Sequence, residues 1–469
     1  MDEEFSSFSS SIGLSKSQSR DLKSRFYEAL CHGSPPREIL DIACQAAQES
    51  LGTEQVDSPP INQTLVNENW SLTCVSTPHC IILPRDTNDV AKSIKIISYF
   101  KIKFAVRSGG HSPNPGWSSV GQDGILLDLQ RLNQVSLSSD KTVCSLGPGG
   151  RWGDVIAKLG AQNATVVGAR NPLVGVGGYI LGGGYSHLSP EFGTAADNVK
   201  NFEVVLGDGT VVNANAEENN DLFWALKGGG PNFGVVTRFD LFTVPVNEIW
   251  YQLAVYSPAQ AFELLDTFAQ WQQREGSRDF RANIVLGLGM DSHVIALIYS
   301  APANQTPSAF APFSALEPLQ LIIPPTNGHF CPAKRGTRCF HSHGTLTTFV
   351  LQHVPSNLAA QGIAKGGNPM CIPQETHQWW TTLVDWTEEE DDDAARSVSI
   401  DTVEQWKKLG QEHGLFLPFL FMNDGARNQS PLAGYGSENL EKLKRISLKY
   451  DGGQLFQTHQ NGGFLLSRV

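Results

Sequence analysis

Positive charge is scarce in this chain. Thirty-five Lys and Arg stand against 47 Asp and Glu, a formal net charge of −12, and charged residues make up only 17% of the 469 positions. A chain of that sign repels nucleic acid and anionic membrane surfaces, so neither is expected as a partner. No apolar run is long enough to span a bilayer. The opening MDEEFSSFSSS lacks the basic and apolar regions of a secretory leader, which makes the cytosol the expected location. The 8 cysteines include neither a CxxC pair nor a Cys/His ligand spacing, which argues against a metal site. The acidic run at 388–393, EEEDDD, reads as a solvated loop. No internal repeat is visible, and nothing in the sequence speaks to oligomeric state.

Glycine, by contrast, is plentiful at 45 residues, and hydrophobic residues reach 40%. The length suggests two to four structural units. Residues 1–36 are serine-rich and read as loosely ordered, apart from a short helix over 22–30. A helical stripe over 37–51 and a Pro/Asn-rich connector over 57–69 follow. From Pro78 strands and helices alternate: strand 80–83, helix 89–100 capped by Asp86 or Thr87, strands 103–106, 124–129 and 142–146, helix 152–161, strand 165–167. The stretch 174–185, VGVGGYILGGGY, is too rich in glycine for a helix or an ordinary strand, and implies main chain passing close to something. VVLGDGTVV reads as a hairpin about Asp208-Gly209. Helix 219–227, a second glycine cluster at 228–234 and strand 235–242 complete this region.

Residues 247–420 look like a different unit. Strands 250–256, 284–288 and 293–299 accompany a helix over 259–273, while 325–370 supports no assignment. Trp379 and Trp380 read as the core of a helix. Strand 416–422 and helix 438–449 close the chain.

Chemistry concentrates at 107–117, RSGGHSPNPGW, where an apolar strand stops at two glycines and a histidine. Glycines allow positive φ and let main-chain N–H groups approach an anion, and Pro113 and Pro115 stiffen the exit. By itself His111 is an ordinary polar loop residue. The neighbouring stretches alter that reading.

PRDTNDV, VRSGGHS, GVGGYILGGGYS with GTAADNV, VVLGDGTVV and FWALKGGGPNFGVVT resemble, in order and spacing, the FAD-binding domain of the vanillyl-alcohol-oxidase superfamily. The tail YGSENLEKLKRISLKYDGGQLFQ resembles the C-terminal segment of its berberine-bridge-enzyme-like branch. The likeness spans roughly residues 40–466, interrupted by a divergent substrate lobe. A dinucleotide-fold reading of Gly175 onward lacks the acidic residue that would hold a ribose hydroxyl.

The resemblance implies an α+β fold of two lobes: a PCMH-type FAD-binding domain, and a substrate domain with an antiparallel sheet and flanking helices. The implied boundaries are 1–73 for an N-terminal extension and helix, 74–247 for the FAD-binding domain, 248–420 for the substrate domain, and 421–469 for a C-terminal segment returning to the FAD domain. It implies that Arg107, Ser108, Gly109, Gly110, His111 and Ser112 wrap the pyrophosphate, with His111 bonded covalently to the flavin. Val174, Gly175, Gly177, Gly178, Gly182, Gly183 and Gly184 would line the ring and ribityl chain. Asn198, Gly234 and Val235 would complete the adenine and diphosphate side. Many relatives carry a second, cysteinyl link just before the VGVGG run. Here ARNPL at 169–173 has no cysteine, so a single histidyl tether is implied. Cys44 and Cys80 match a pair bridged in secreted relatives; the missing leader sets two buried thiols against that bridge and leaves the pairing open.

On the substrate side the resemblance points to Tyr185, Asn423 and Tyr435 as catalytic contacts. His187, Glu191 and His459 read as ordinary polar residues, and His341, His343 and His353 as weaker alternatives. The implied activity is an FAD-linked oxidase that passes hydride from a small molecule, of alkaloid or polyketide type, to flavin N5 and then reduces dioxygen. A carbohydrate oxidase of the same fold, a redox-neutral isomerase or cyclase, and a non-catalytic binding protein are the alternatives.

Overall fold

Three sheets organise the computed structural model, which describes residues 2–31, 36–276, 278–329 and 346–469. His341 and His343 lie outside these residues. Ahead of the sheets come α1 (Asp2–Ser11), α2 (Lys16–Cys31) and α3 (Pro36–Leu51). The N-terminal stretch is thus ordered, contrary to its serine-rich appearance. The reason is aromatic: Phe5 and Phe8 are buried, and Phe8 stacks on Tyr99 with ring centroids 4.0 Å apart. Two well-placed phenylalanines outweigh the polar composition around them.

The first sheet contains β1 (Val56–Asp57), β2 (Cys80–Ile82), β3 (Lys103–Arg107) and β4 (Gly124–Asp128), in the order β1-β2-β4-β3. Its core strands are parallel, and the short helix α4 (Gln63–Val66) precedes β2. Helix α5 (Thr87–Phe100) connects β2 to β3, and Asp86 caps it by accepting the Asp89 N–H at 2.9 Å. Helix α3 packs on this sheet and carries Cys44 to Cys80, with Cα atoms 6.4 Å apart and the sulfurs bonded. The sequence left this pairing open, and helix-on-sheet packing closes it by bringing the two residues within bonding range.

The second sheet is antiparallel, with β5 (Val135–Leu137), β6 (Val143–Leu146), β7 (Val199–Val205), β8 (Val211–Asn215) and β9 (Val235–Phe242) in the order β5-β6-β9-β7-β8. The β7–β8 hairpin turns where the sequence predicts it, with Gly209 at φ +80°. Between β6 and β9 the chain also forms α6 (Trp152–Gly160), α7 (Val176–Leu181), α8 (Ser189–Phe192) and α9 (Asn220–Leu226). Helix α7 corrects the reading of 174–185 as non-helical. Val176, Tyr179 and Ile180 bury into the core, and that packing offsets the entropic cost of its two internal glycines. The predicted strand at 165–167 is reduced to a single bridge, Thr165 to Val244.

The third sheet is wholly antiparallel. Its strands β10 (Glu248–Tyr256), β11 (Ala282–Gly289), β12 (His293–Tyr299), β13 (Gln320–His329), β14 (Leu346–Val354) and β15 (His377–Asp385) run in the order β13-β10-β12-β11-β14-β15. Helices α10 (Ala261–Gln273), α11 (Asn357–Ala364) and α12 (Asp392–Glu412) accompany it. Trp379 and Trp380 lie on β15 rather than in a helix. Strand alternation sends Trp379 onto Phe421 and Trp380 onto Phe349. The acidic run does not remain a loop but leads into α12, where carboxylates favour a helix N-terminus. No strand forms at 416–422. Phe421 and Met422 are instead buried next to a 3₁₀ turn over Met422–Asp424.

The chain ends in α13 (Ser437–Tyr450) and α14 (Leu455–Thr458) and then returns to the first sheet. There Phe104 N–H donates to the His459 carbonyl at 3.0 Å, and Asn461 N–H to the Phe104 carbonyl at 2.7 Å. The largest buried cluster joins α6, α7 and the second sheet to one face of the third. Among the described residues no helix is long and apolar enough to cross a membrane.

Candidate active site

Strands β3 and β4 end side by side, which puts Arg107 opposite Asp128. The two are buried and paired, the Arg107 Nε donating to Asp128 at 3.0 Å, and a second Arg107 nitrogen reaches the Leu65 carbonyl at 2.6 Å. The guanidinium thus anchors the start of the loop. Beyond it, the main-chain N–H groups of Gly109, Gly110, His111 and Ser112 donate to no protein acceptor among the described residues. Gly110 turns the loop at φ +60°.

His111 follows, its ring stacked on Trp70 at 4.9 Å between centroids. Its Nε2 is buried without a hydrogen-bond partner. Burial first, and the nearby Arg151 cation second, push its pKa down to about 4. The imidazole is therefore neutral near pH 7, with a ring nitrogen free to bond carbon.

The glycine run docks directly on this loop. A Cβ on Gly109 would stand 2.5 Å from the Gly175 Cα, and the Gly177 N–H donates to Ser108 Oγ at 3.1 Å. Arg151 bridges the same junction through the carbonyls of Gly109 and Leu173. Further on, Asn423 ties the middle of α7 to the glycine turn beyond it, accepting the Gly184 N–H at 2.9 Å and donating to the Gly178 carbonyl at 3.1 Å. Gly183 and Gly184 take φ +107° and +77°, a region that side chains rarely enter. The second glycine cluster joins here through the Gly230 N–H and the Leu181 carbonyl at 3.0 Å. Gly178 faces open space where a Cβ would be. Val174 lies at the entrance to the run, half-buried.

The other predicted residues occupy distinct places. Tyr185 is buried, its hydroxyl donating to the His353 carbonyl at 2.9 Å, and burial pushes its pKa up to about 12. Tyr435 is likewise buried with its pKa raised, and donates to the Gly228 carbonyl at 2.7 Å. Asn198 pins the 192–198 loop through the Phe192 and Thr194 carbonyls and accepts from Lys365 at 2.8 Å. Gly234 and Val235 sit at the junction of β9 with β7, where Val235 pairs with Val205. His187 contacts Asn283 at 3.2 Å and is pushed down to about 3 by burial and by Arg170. Glu191 accepts from Ser300, His353 is wholly buried in the third sheet, and His459 contacts Thr458 at 2.7 Å.

Three residues here escape reading from the sequence: Trp70, Arg151 and Arg170. Each sits in an unremarkable local context and arrives from a different stretch of chain. No spacing rule links Trp70 to His111 or Arg170 to Tyr185.

The site suits a dinucleotide carrying a reactive tricyclic ring. Unsatisfied main-chain donors would suit an anion, glycines clear the approach, and an imidazole with an unpartnered Nε2 stands beside them. Fold and site together define a flavin-binding oxidoreductase.

Comparison with known proteins agrees. The FAD binding domain family matches residues 78–215. An FAD-dependent monooxygenase of Arthrobotrys oligospora is 34% identical, covering 91% of this chain and 90% of its own. The bifunctional solanapyrone synthase of Alternaria solani is 31% identical, covering 84% of this chain and 83% of its own. The solved structure of Physcomitrella patens BBE-like 1 matches the fold with a TM-score of 0.72 at 18% identity, covering 87% of this chain and 96% of that one. This chain belongs to the FAD-linked oxidoreductases of the vanillyl-alcohol-oxidase superfamily, alongside the fungal FAD-dependent monooxygenases.

Proposed function

We propose that this protein is an FAD-dependent oxidase of fungal secondary metabolism, with the cofactor held covalently through His111 alone. When bound, FAD supplies the two-electron acceptor for a substrate C–H and passes the electrons on to dioxygen. The observation that carries the reading is the half-buried His111 ring, neutral and with its buried Nε2 unpartnered, on a loop of free N–H donors. The absence of cysteine at 169–173 supports one tether rather than two. Cys144 offers no substitute, since its thiol is packed in the core and burial pushes it up to about 12.

In this reading Ser108–Ser112 holds the pyrophosphate, and α7 with its flanking glycines holds the ring. Asn198, Gly234 and Val235 brace the far side through the loops they anchor. Tyr185, Asn423 and Tyr435 shape the substrate side: Asn423 fixes the glycine turn, and the two tyrosines stay protonated at neutral pH. Fungal relatives named as monooxygenases and as a solanapyrone synthase favour a polyketide-type small molecule over a sugar.

Acid denaturation of the purified yellow protein tests the tether. Flavin should stay with the wild-type polypeptide and leave with His111→Ala. Release from the wild type as well would defeat the covalent link while leaving the fold intact.

A further inference from the structure

We propose that Asp424 is the carboxylate that accepts the substrate's proton, an assignment that rests on the FAD reading above. Asp424 directly follows Asn423, whose side chain is fastened to the glycine turn after α7 and to Gly178 within it, at 2.9 and 3.1 Å. Its own backbone is set in a 3₁₀ turn, with the N–H donating to the Phe421 carbonyl at 3.1 Å. The carboxylate is thereby carried by the same clamp that shapes the ring-lining glycines. The residue is exposed although protein packs densely about it, so the carboxylate fronts a hollow rather than an open face. Gly178, whose carbonyl Asn423 holds, also faces open space.

The groups around it narrow the choice of base. Arg170, from the segment before α7, acts on Asp424 and also on Tyr179, Tyr185 and His187. Tyr179 on α7 is buried with its hydroxyl unpartnered and its pKa raised, and Tyr185 is pushed up to about 12. His187 is pushed down to about 3, and Asn283 occupies one of its ring nitrogens. None of these is a neutral-pH base facing the hollow. Burial raises the Asp424 carboxyl and Arg170 opposes the rise, and a carboxylate made more basic by its surroundings suits the role of proton acceptor.

The step balances as follows. The substrate's O–H or N–H bond breaks and its proton goes to Asp424. The electron pair of that bond closes a C=O or C=N bond as the adjoining carbon gives up hydrogen with both electrons to FAD. The proton then leaves Asp424 through the hollow, and dioxygen, with two electrons and two protons, becomes hydrogen peroxide.

The test uses flavin-loaded protein and free sulfite, an anionic probe that adds to the flavin ring and bleaches its visible absorbance. A negative charge at the reacting face should repel it. Asp424→Asn should therefore bind sulfite at least about tenfold more tightly than wild type near pH 7. The ratio of the two affinities should fall toward one as the pH drops through the titration of Asp424, and Asp424→Glu should follow the wild type. Equal affinities at every pH, including no adduct in either protein, overturn the assignment. Loss of flavin by both variants marks Asp424 as structural and overturns it too. A wild-type protein that holds no flavin defeats the FAD reading itself, an outcome distinct from these.

Discussion

Replacing Gly175 by alanine should loosen the seam between the two cofactor loops. The added Cβ would stand 2.6 Å from the Gly109 Cα and 2.7 Å from Ser108 Oγ, and it would also press on the Gly109 nitrogen. Ordinary contacts to carbon need about 3.5 Å, so the loops must part by roughly 1 Å. Most of the atoms in the way are backbone and cannot rotate aside. Overpacking of this kind costs about 1–3 kcal/mol, and losing the 3.1 Å bond from Gly177 to Ser108 adds about 1 kcal/mol. Urea unfolding of the flavin-loaded protein should then show a loss of roughly 2–4 kcal/mol, together with reduced flavin content. Gly160→Ala is the control, because nothing lies within 4 Å of the new methyl in α6. That change should be neutral or slightly stabilising. Wild-type stability and full flavin content in Gly175→Ala would refute the close-approach argument.

Acid should weaken the fold through buried imidazoles. His353 titrates near 4 when folded and near 6.5 when exposed, chiefly because burial disfavours its charge. Its contribution is complete above about pH 6.5 and fades as the pH falls toward 4, since the unfolded chain takes the proton first. The loss amounts to roughly 3 kcal/mol, and His353→Gln should flatten that part of a urea-midpoint profile against pH. Asp128→Asn leaves the buried Arg107 charge uncompensated and should cost about 3–5 kcal/mol by the same unfolding assay. Reducing the Cys44–Cys80 bridge, which closes a separation of 36 residues, should lower stability by about 3–4 kcal/mol, and Cys44→Ala should make the protein insensitive to reductant.

Much of the architecture was legible locally. The capped helix α5, the β7–β8 hairpin and strand β9 all rest on short-range signals: a carboxylate N-cap, an Asp-Gly turn, and a run of β-branched residues. The loop that presents His111 was legible for the same reason, because two glycines, a histidine and two prolines leave few alternatives for the chain. Misreadings came where distant packing outvoted local preference. Helix α7 tolerates its glycines because Val176, Tyr179 and Ile180 find a core. Trp379 and Trp380 fit either periodicity until β14 pairs with β15.

By itself, then, the sequence determined that a glycine-rich loop presents His111 and that the chain carries an FAD-binding domain. Backbone conformation answers to neighbours only a few residues away, and that information is written in order along the chain. Tertiary structure alone decided that Cys44 meets Cys80, that Trp70 covers His111, and that the Arg170 charge acts on Asp424. Those pairings join segments dozens to hundreds of residues apart, and burial of apolar surface, which has no direction along the chain, is what brings them together.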